Sequence, residues 1–236
     1  MTIAPGQTLI ALRDGDPAAR IPGQHARSTV LRMRMRTIGA LGILAVVTTA
    51  FGREFGLHSP LFVGAELALL ATMFFVSRFV LPLLERRYRG ATGEEHVGGL
   101  LDRLELEGAG WSVIHDASLG RGNIDHIALG PAGFFTVETK SHPGPVHVRS
   151  IHGAVLRQAQ DEREALERVL DAPVEPLLVY SRAWVDKPAA RRRGVRVLPA
   201  RMLIAYLRRR RQSLSAEQVQ AARERVVAAL GDRAGR

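Results

Sequence analysis

The sequence of 236 residues contains no cysteine, and lysine occurs only at Lys140 and Lys187. The absence of cysteine excludes disulfides, thiolate metal ligands and cysteine nucleophiles. The other 31 basic residues are arginines, so a lysine at position 140 is unusual for this chain. Lysine supplies a compact charge that can lose its proton, whereas arginine supplies a fixed planar fork. Lys140 is therefore of interest as a chemical group.

The net charge of +10 is unevenly distributed along the chain. Residues 1–89 carry 11 basic and 5 acidic side chains, a net of +6. Residues 90–236 carry 22 and 18, a net of +4. The second part is thus only mildly basic, and its net charge does not by itself indicate nucleic-acid binding.

The N-terminal part of the chain reads as an arm followed by two apolar stretches. Residues 1–36 are rich in glycine, proline and polar residues without a sustained period, which predicts a flexible basic arm. Transmembrane helices are predicted at about 37–54 and 61–84. A buried helical hairpin in a soluble core is the alternative for both stretches, and a signal peptide is an alternative for the first.

Charged residues around these stretches predict their orientation. Three arginines closely precede the first stretch and three follow the second. The segment that connects the stretches contains a single basic residue, Arg53. The positive-inside rule then places both termini and the following domain in the cytoplasm, as part of a multi-pass protein of the cell membrane. Glu66 and Arg78 lie inside the second stretch; they either snorkel to its ends or form a polar contact or ion path.

After residue 84 the hydrophobic pattern predicts an α/β domain over 85–211 and a C-terminal helix within 212–236. Thr92 and Glu95 have the spacing of a capping box, which predicts that a helix begins at Thr92. Further helices are predicted at about 154–170, 200–210 and 216–230. Strands are predicted at 111–116, 124–129, 134–140, 146–148, 174–180 and 195–198.

The strand at 134–140 carries the strongest candidate site. Glu138 and Lys140 alternate onto one face, which is either a surface ion pair or part of a site. If the preceding turn is centred on Pro131 and Ala132, Asp125 lies opposite Glu138, and two carboxylates so close repel unless a cation such as Mg²⁺ or Mn²⁺ lies between them. A three-residue loop with a bulge would instead put Asp125 on the wrong face.

Two further residues border this strand pair. Glu94 lies at the edge of an apolar helical stripe, where it either joins the acids or accepts hydrogen bonds at the helix N-terminus. His126 faces away from Asp125 in the strand alternation, and we interpret it as a core or supporting histidine rather than a metal ligand. Arginine clusters at 191–193 and 208–211 are either solvated or contact phosphates or anionic lipid.

The ordered blocks around these residues resemble the NERD, or nuclease-related, domain, a branch of the PD-(D/E)XK nuclease superfamily. The resemblance covers roughly residues 90–180. Its blocks are Gly93-Glu94-Glu95, Gly122-Asn123-Ile124-Asp125-His126, Gly130-Pro131-Ala132-Gly133-Phe134-Phe135, Val137-Glu138-Thr139-Lys140, Gly144 and Arg157-Gln158-Ala159. Ser141-His142-Pro143 departs from the family, in which a small polar residue such as Asn often follows the lysine.

The resemblance implies a restriction-endonuclease-like α-β-β-β-α-β core and a metal-dependent phosphodiesterase. Asp125 and Glu138 would hold Mg²⁺ or Mn²⁺ with help from Glu94. Lys140 would orient the attacking water or stabilise phosphate charge, and Gln158 would position the site. The substrate would be nucleic acid, with DNA favoured over RNA. The alternatives are a catalytically silent module that binds nucleic acid or a partner, and a membrane scaffold whose hairpin is the functional part.

Overall fold

The computed structural model describes residues 24–56, 60–119 and 122–234. The helices are α1 (Gln24–Phe55), α2 (Pro60–Phe75), α3 (Leu81–Leu106), α4 (Gly153–Leu170), α5 (Ala200–Arg209) and α6 (Ala216–Ala234), with a π-helical turn at Val76–Val80 and a 3-10 turn at Val148–Ser150. The strands are β1 (Ser112–Ala117), β2 (Ile124–Gly130), β3 (Gly133–Lys140), β4 (Val174–Tyr180), β5 (Arg191–Arg192) and β6 (Val195–Pro199).

The helices of Gln24–Ala91 form one compact unit. They expose many large apolar side chains, among them Ile43, Val46, Leu67, Leu70 and Phe74. Two segments, Leu31–Glu54 and Phe62–Leu106, are long and apolar enough to cross a membrane, with mean hydropathies of 1.5 and 2.1 over their most apolar windows. Helix α1 begins at Gln24, so residues 24–36 of the predicted arm are helical, and residues 1–23 lie outside the described part.

The second compact unit, from Thr92 onward, is built on a mixed six-stranded sheet with the strand order β1-β2-β3-β4-β6-β5. Strands β1, β2 and β3 form an antiparallel meander. Strand β4 returns parallel to β3, and β6 lies parallel to β4, while the short β5 is antiparallel at the edge. The order α3-β1-β2-β3-α4-β4 gives the predicted α-β-β-β-α-β sequence of elements.

Helices cover both faces of this sheet. On one face, α3 and α5 pack through Val97, Leu101 and Leu203 against residues that include Phe135 and Val137 of β3. On the other face, α4 and α6 pack through residues that include Leu166 and Val226. We call these the α3/α5 face and the α4/α6 face. Since alternate residues of β3 point to opposite faces, Glu138 and Lys140 point toward α4.

Two sequence predictions about elements of this unit were wrong, and one short strand was missed. No helix begins at Thr92, because α3 starts at Leu81 and its only proline, Pro82, lies in the first turn, where proline is tolerated. Residues 146–148 are not a strand: Val146 makes an isolated bridge to Val185 and a 3-10 turn follows. The two-residue strand β5 was not predicted.

Candidate active site

The β2–β3 hairpin has the register that places Asp125 across from Glu138. Its pairs run from Gly130 with Gly133 to His126 with Val137, so the turn consists of Pro131 and Ala132. Gly133 adopts φ +128°, a conformation that glycine accommodates without strain. The bulged three-residue alternative is therefore wrong, and one further step in register puts Asp125 opposite Glu138.

Glu138 is a buried carboxylate at the end of β3, with 1% of its surface exposed. Its Oε1 accepts a hydrogen bond from the Lys140 ammonium. Its Oε2 is buried without a hydrogen-bond partner. Burial of a carboxylate oxygen without a hydrogen-bond donor costs free energy of folding. A ligand that contacts Glu138 Oε2 would offset this cost.

Lys140 joins this strand to helix α4. Its Nζ donates to Glu138 and, at 3.3 Å, to the Gln158 side-chain oxygen. Burial lowers the pKa of Lys140, but the charge of Glu138 and their hydrogen bond outweigh it, so the pKa is raised overall. Lys140 is thus a firmly charged ammonium that Gln158 and Glu138 hold in place.

Asp125 is tied to the same strand end from the neighbouring strand. Its Oδ2 accepts the Thr139 backbone N–H at 2.8 Å. Burial raises its pKa well above the usual range, and the nearby charges of Glu138 and Glu94 raise it further. The predicted repulsion between these carboxylates is therefore a property of the folded chain.

Glu94 reaches this group from helix α3. An added Cβ at the preceding residue, Gly93, would lie 2.6 Å from Oγ of Ser181, which directly follows β4. The absence of a side chain at Gly93 thus lets the helix approach the ends of the central strands. Burial, followed by the charges of Glu138 and Asp116, raises the pKa of Glu94. The sequence predicted a helix start at Thr92 with Glu95 in its capping box, which left Glu94 without a structural role. No helix starts there, but the charge of Glu94 does interact with those of the other acids.

Helix α4 contributes Gln158, as predicted, and Glu162, which sequence reasoning missed. The Gln158 side-chain amide donates to Glu162 Oε1 at 3.0 Å. Glu162 is 6% exposed and its Oε2 lacks a partner. Burial, together with the charge of Glu138, raises the pKa of Glu162 to about 10. A signal was present in the sequence: Glu162 interrupts the apolar stripe between Ala159 and Leu166.

Comparison with protein families identifies this part of the chain. Residues 89–181 match the family model described as the nuclease-related domain, NERD. These residues form a NERD domain. The match includes most of α3, the β1–β3 meander, α4 and β4. It contains the six side chains described above, Glu94, Asp125, Glu138, Lys140, Gln158 and Glu162. It excludes α1 and α2.

Other comparisons are more distant. A solved structure titled as SfsA of Pyrococcus furiosus in complex with Ca²⁺ is 17% identical over 59% of this chain, with a TM-score of 0.25. This chain covers 53% of that protein, about half of its length. No curated protein matches the sequence.

The predicted cation ligands of the NERD domain are Asp125, Glu138 and Glu94. In the described parts of the chain, no three His, Asp or Glu side chains are grouped closely enough to hold a metal ion as they stand. The donor chemistry nevertheless fits a hard divalent cation, because the groups are carboxylates whose charges oppose one another and Glu138 Oε2 has no partner. A cation would relieve both the repulsion and the unpaired oxygen.

A cleft of about 620 Å³ lies beside these residues. One wall is α4, which contributes Gln158 and Glu162 together with two cationic side chains, Arg157 and Arg168, and two further acids, Asp161 and Glu164. Ile124, next to Asp125, lies on the other side. The cleft therefore gives a large ligand a route to the buried acids along the surface of α4.

The α3/α5 face carries a different polar group. His126 Nδ1 lies 2.8 Å from His115 Nδ1, and His115 Nε2 lies 2.9 Å from Asp102 Oδ1. Burial and the neighbouring His115 lower the pKa of His126 well below its usual range. His126 therefore points away from Asp125, as the strand alternation predicted, and supports the core in its neutral form.

The predicted basic clusters are largely occupied by internal contacts. Arg191, Arg196 and Arg210 all donate to Glu175 of β4, and Tyr206 donates to the same carboxylate at 3.0 Å. Burial raises the pKa of Glu175, but the hydrogen bonds from Arg191 and Tyr206 and the arginine charges lower it overall. These arginines anchor the β5–β6 edge, whether or not they also meet a ligand.

Asp116 is a second residue that sequence reasoning did not assign. It lies in β1 with φ 55°, a left-handed conformation rare within a strand. Its carboxylate accepts a hydrogen bond from the Asn123 amide and acts on the charge of Glu94. Backbone strain of this kind is found at functional sites, which places Asp116 at the border of the acidic group.

Proposed function

We propose that this chain is a membrane-anchored nuclease that hydrolyses phosphodiester bonds with a divalent cation, on a restriction-endonuclease-like core. The observation that carries the proposal is the state of Glu138. It is buried, with one oxygen on Lys140 and the other unpaired, and Asp125 accepts the N–H of the next residue, Thr139. Burial of these charges lowers the stability of the folded chain, which indicates that they serve a function other than folding.

The roles of the residues follow from their charges and positions. Mg²⁺ or Mn²⁺ held by Asp125 and Glu138, with Glu94 assisting, would supply a Lewis acid for the phosphate and a water of lowered pKa. The Lys140 ammonium, kept charged by Glu138, would orient the attacking water or stabilise negative charge on the phosphate. Gln158 would fix the direction of that ammonium through its side-chain oxygen.

The substrate would lie in the cleft along α4, with Arg157 and Arg168 near its phosphates. We propose nucleic acid as the substrate, and DNA before RNA. Phosphate contacts of this kind position a strand but do not read its sequence, so the cleft as described supports cleavage without strong sequence preference.

The membrane anchor is proposed from the helices of Gln24–Ala91. Their exposed apolar side chains would be costly in water, whereas a bilayer accommodates them. The arginines that flank the two apolar stretches favour a cytoplasmic location for both termini and the NERD domain.

The test is a cleavage assay on the full chain in detergent micelles, using labelled single-stranded DNA, duplex DNA and RNA with Mg²⁺, Mn²⁺ or a chelator. We expect cleavage only with a divalent cation. Glu138→Ala and Lys140→Ala should each reduce the rate by about 10²-fold or more, since each removes a group that acts on charge at the phosphate.

Matched controls exist for both substitutions. Lys187→Ala removes the only other lysine, which is exposed, and Glu224→Ala removes an exposed acid of α6 that lies outside the cleft lining. Both controls should cleave at the wild-type rate. Equal activity in the wild type, Glu138→Ala and Lys140→Ala would refute the proposed site. Binding of DNA without cleavage under any metal condition would instead support the silent binding module.

A further inference from the structure

Glu162 has no structural role that explains its charge. It faces the sheet from the buried stripe of α4, between Ala159 and Leu166, where an apolar residue would fill the space without a desolvation cost. Its only hydrogen bond among the described contacts is the one that its Oε1 accepts from Gln158. Its Oε2 is buried without a partner.

Glu138 presents the complementary situation from β3. Lys140 occupies its Oε1, and its Oε2 is also buried without a partner. One chain of hydrogen bonds joins the two carboxyl groups: Lys140 donates to Glu138 and to Gln158, and Gln158 donates to Glu162. When both are ionised, the second oxygen of each is buried without a donor.

We propose that Glu162 is a ligand of the catalytic cation, which binds between the carboxylates of Glu138 and Glu162. This inference rests on the proposed function, because it concerns the same cation. It assigns a carboxylate from α4 to a site otherwise drawn from α3, β2 and β3. Gln158 is then a positioning residue twice over, since it contacts both the Lys140 ammonium and Glu162.

Two observations favour a cation over a merely shared proton. Asp125 accepts the N–H of Thr139, the residue after Glu138, so a third carboxylate is held at the same strand end. A single proton neutralises one of them and leaves the others opposed, whereas a divalent cation balances two charges. Glu162 also lines the cleft, so a cation held there lies on the path of a substrate.

The test is Mn²⁺ binding to the full chain in detergent, measured by electron paramagnetic resonance of the free ion. We compare the wild type with Glu162→Gln, Glu138→Gln and Glu224→Gln. The last is an exposed control on α6, where Gln220 donates to Glu224 as Gln158 donates to Glu162. Glu162→Gln keeps the size of the side chain and can still contact Gln158. We expect it to weaken Mn²⁺ binding by at least about tenfold, with Glu138→Gln at least as severe and Glu224→Gln unchanged.

A second measurement keeps the test independent of folding defects. The luminescence lifetime of Eu³⁺ bound to the full chain reports how many waters the ion retains, and Glu162→Gln should add at least one. Wild-type Mn²⁺ affinity in Glu162→Gln, or no Mn²⁺ binding by the wild type, overturns the inference. Binding through Glu162 without nucleic-acid cleavage would retain it and refute the nuclease proposal. Mn²⁺-dependent cleavage by the wild type, with unaltered Mn²⁺ binding in Glu162→Gln, would support the nuclease proposal and overturn the assignment of Glu162.

Discussion

The two compact units of this chain depart from the usual distribution of residues in opposite directions. The unit Gln24–Ala91 exposes large apolar side chains such as Leu67 and Leu70, at 61% and 60%. The unit that follows buries the carboxylates of Glu138 and Glu162. Each departure is unfavourable in water alone. We propose that each unit is shaped for a partner outside the polypeptide, a bilayer for the first and a cation for the second.

A similar contrast exists within the NERD domain, on the two sides of one hairpin. Asp125 and His126 are neighbours in β2, but Asp125 faces the acids and Lys140 while His126 faces His115. On the histidine side the groups bond one another, and the unpaired buried atom is His126 Nε2, which belongs to a ring whose pKa is lowered toward the neutral form. On the acid side, Glu138 and Glu162 each keep an unpaired oxygen.

The largest effect is expected in the helical unit. Replacing both Leu67 and Leu70 by Arg should shift the chain from the membrane to the soluble or aggregated fraction of cells. Each arginine in the centre of a span costs about 2.5–3.5 kcal/mol of insertion free energy. Gln212→Arg with Gln220→Arg, on exposed positions of the other unit, adds the same charge and should leave fractionation unchanged. Membrane association of both double variants would argue against the anchor.

The next effect concerns the ammonium that balances the buried acids. Lys140→Met should lower the free energy of unfolding of the metal-free chain by about 2–3 kcal/mol. Removing one partner of a fully buried ion pair costs about 3–5 kcal/mol. The loss expected here is smaller because 34% of the Lys140 side chain is exposed to solvent. Urea unfolding followed through the buried Trp111 measures it. The exposed Lys187→Met should change stability by under about 0.5 kcal/mol; a loss as large in this control would contradict the assignment.

The pH dependence of stability should carry the signature of the acids. Glu162 has an ordinary pKa of 4.5, and in the folded chain the pKa is about 10. Between these values the folded chain holds a proton that the unfolded chain releases, so the free energy of unfolding falls as pH rises. The raised pKa values of Asp125 and Glu94 act in the same direction.

Glu162→Gln should therefore flatten the decline in stability between pH 5.5 and 8.5, by at most about 1.4 kcal/mol per pH unit. Chelator is present throughout, and urea midpoints at three pH values suffice. Glu164→Gln on the exposed side of α4 should keep the wild-type slope. An identical slope in the wild type and Glu162→Gln would show that Glu162 is ionised in the folded protein.

The smallest effect is expected on the histidine side. Asp102→Asn weakens the hydrogen bond to His115 and should cost under about 1 kcal/mol of unfolding free energy. Cleavage should proceed at the wild-type rate, since these groups face away from the acids. Loss of activity with unchanged stability in this variant would show that the two faces of the hairpin are functionally coupled.

Much of the NERD domain was predictable because local patterns and tertiary structure agree there. The turn residues Pro131 and Gly133 flank a strict alternation on β2 and β3, so only the register remained open. Core packing settled it, since the two-residue turn keeps Ile127 and Leu129 on the α4/α6 face. Asp125 and Glu138 then follow.

Other features depend on tertiary contacts that the local sequence pattern does not predict. The capping box at Thr92 was a valid local signal, but the helix from Leu81 continues through it, and capping residues are also found inside helices. Glu162 has no distinguishing local pattern as a polar residue of a helix. The fold buries it and joins it through Gln158 and Lys140 to Glu138. Strand β5 has two residues and is held by arginine contacts to Glu175, which no periodicity predicts.

We propose that the buried acids of the NERD domain bind a cation, and thermal unfolding of the full chain with and without Mn²⁺ tests this directly. The wild type should be stabilised by about 2.7 kcal/mol at a Mn²⁺ concentration 100 times the dissociation constant. Glu138→Gln should gain far less at the same concentration. Equal gains in the wild type and this variant, or none in the wild type, would contradict the account.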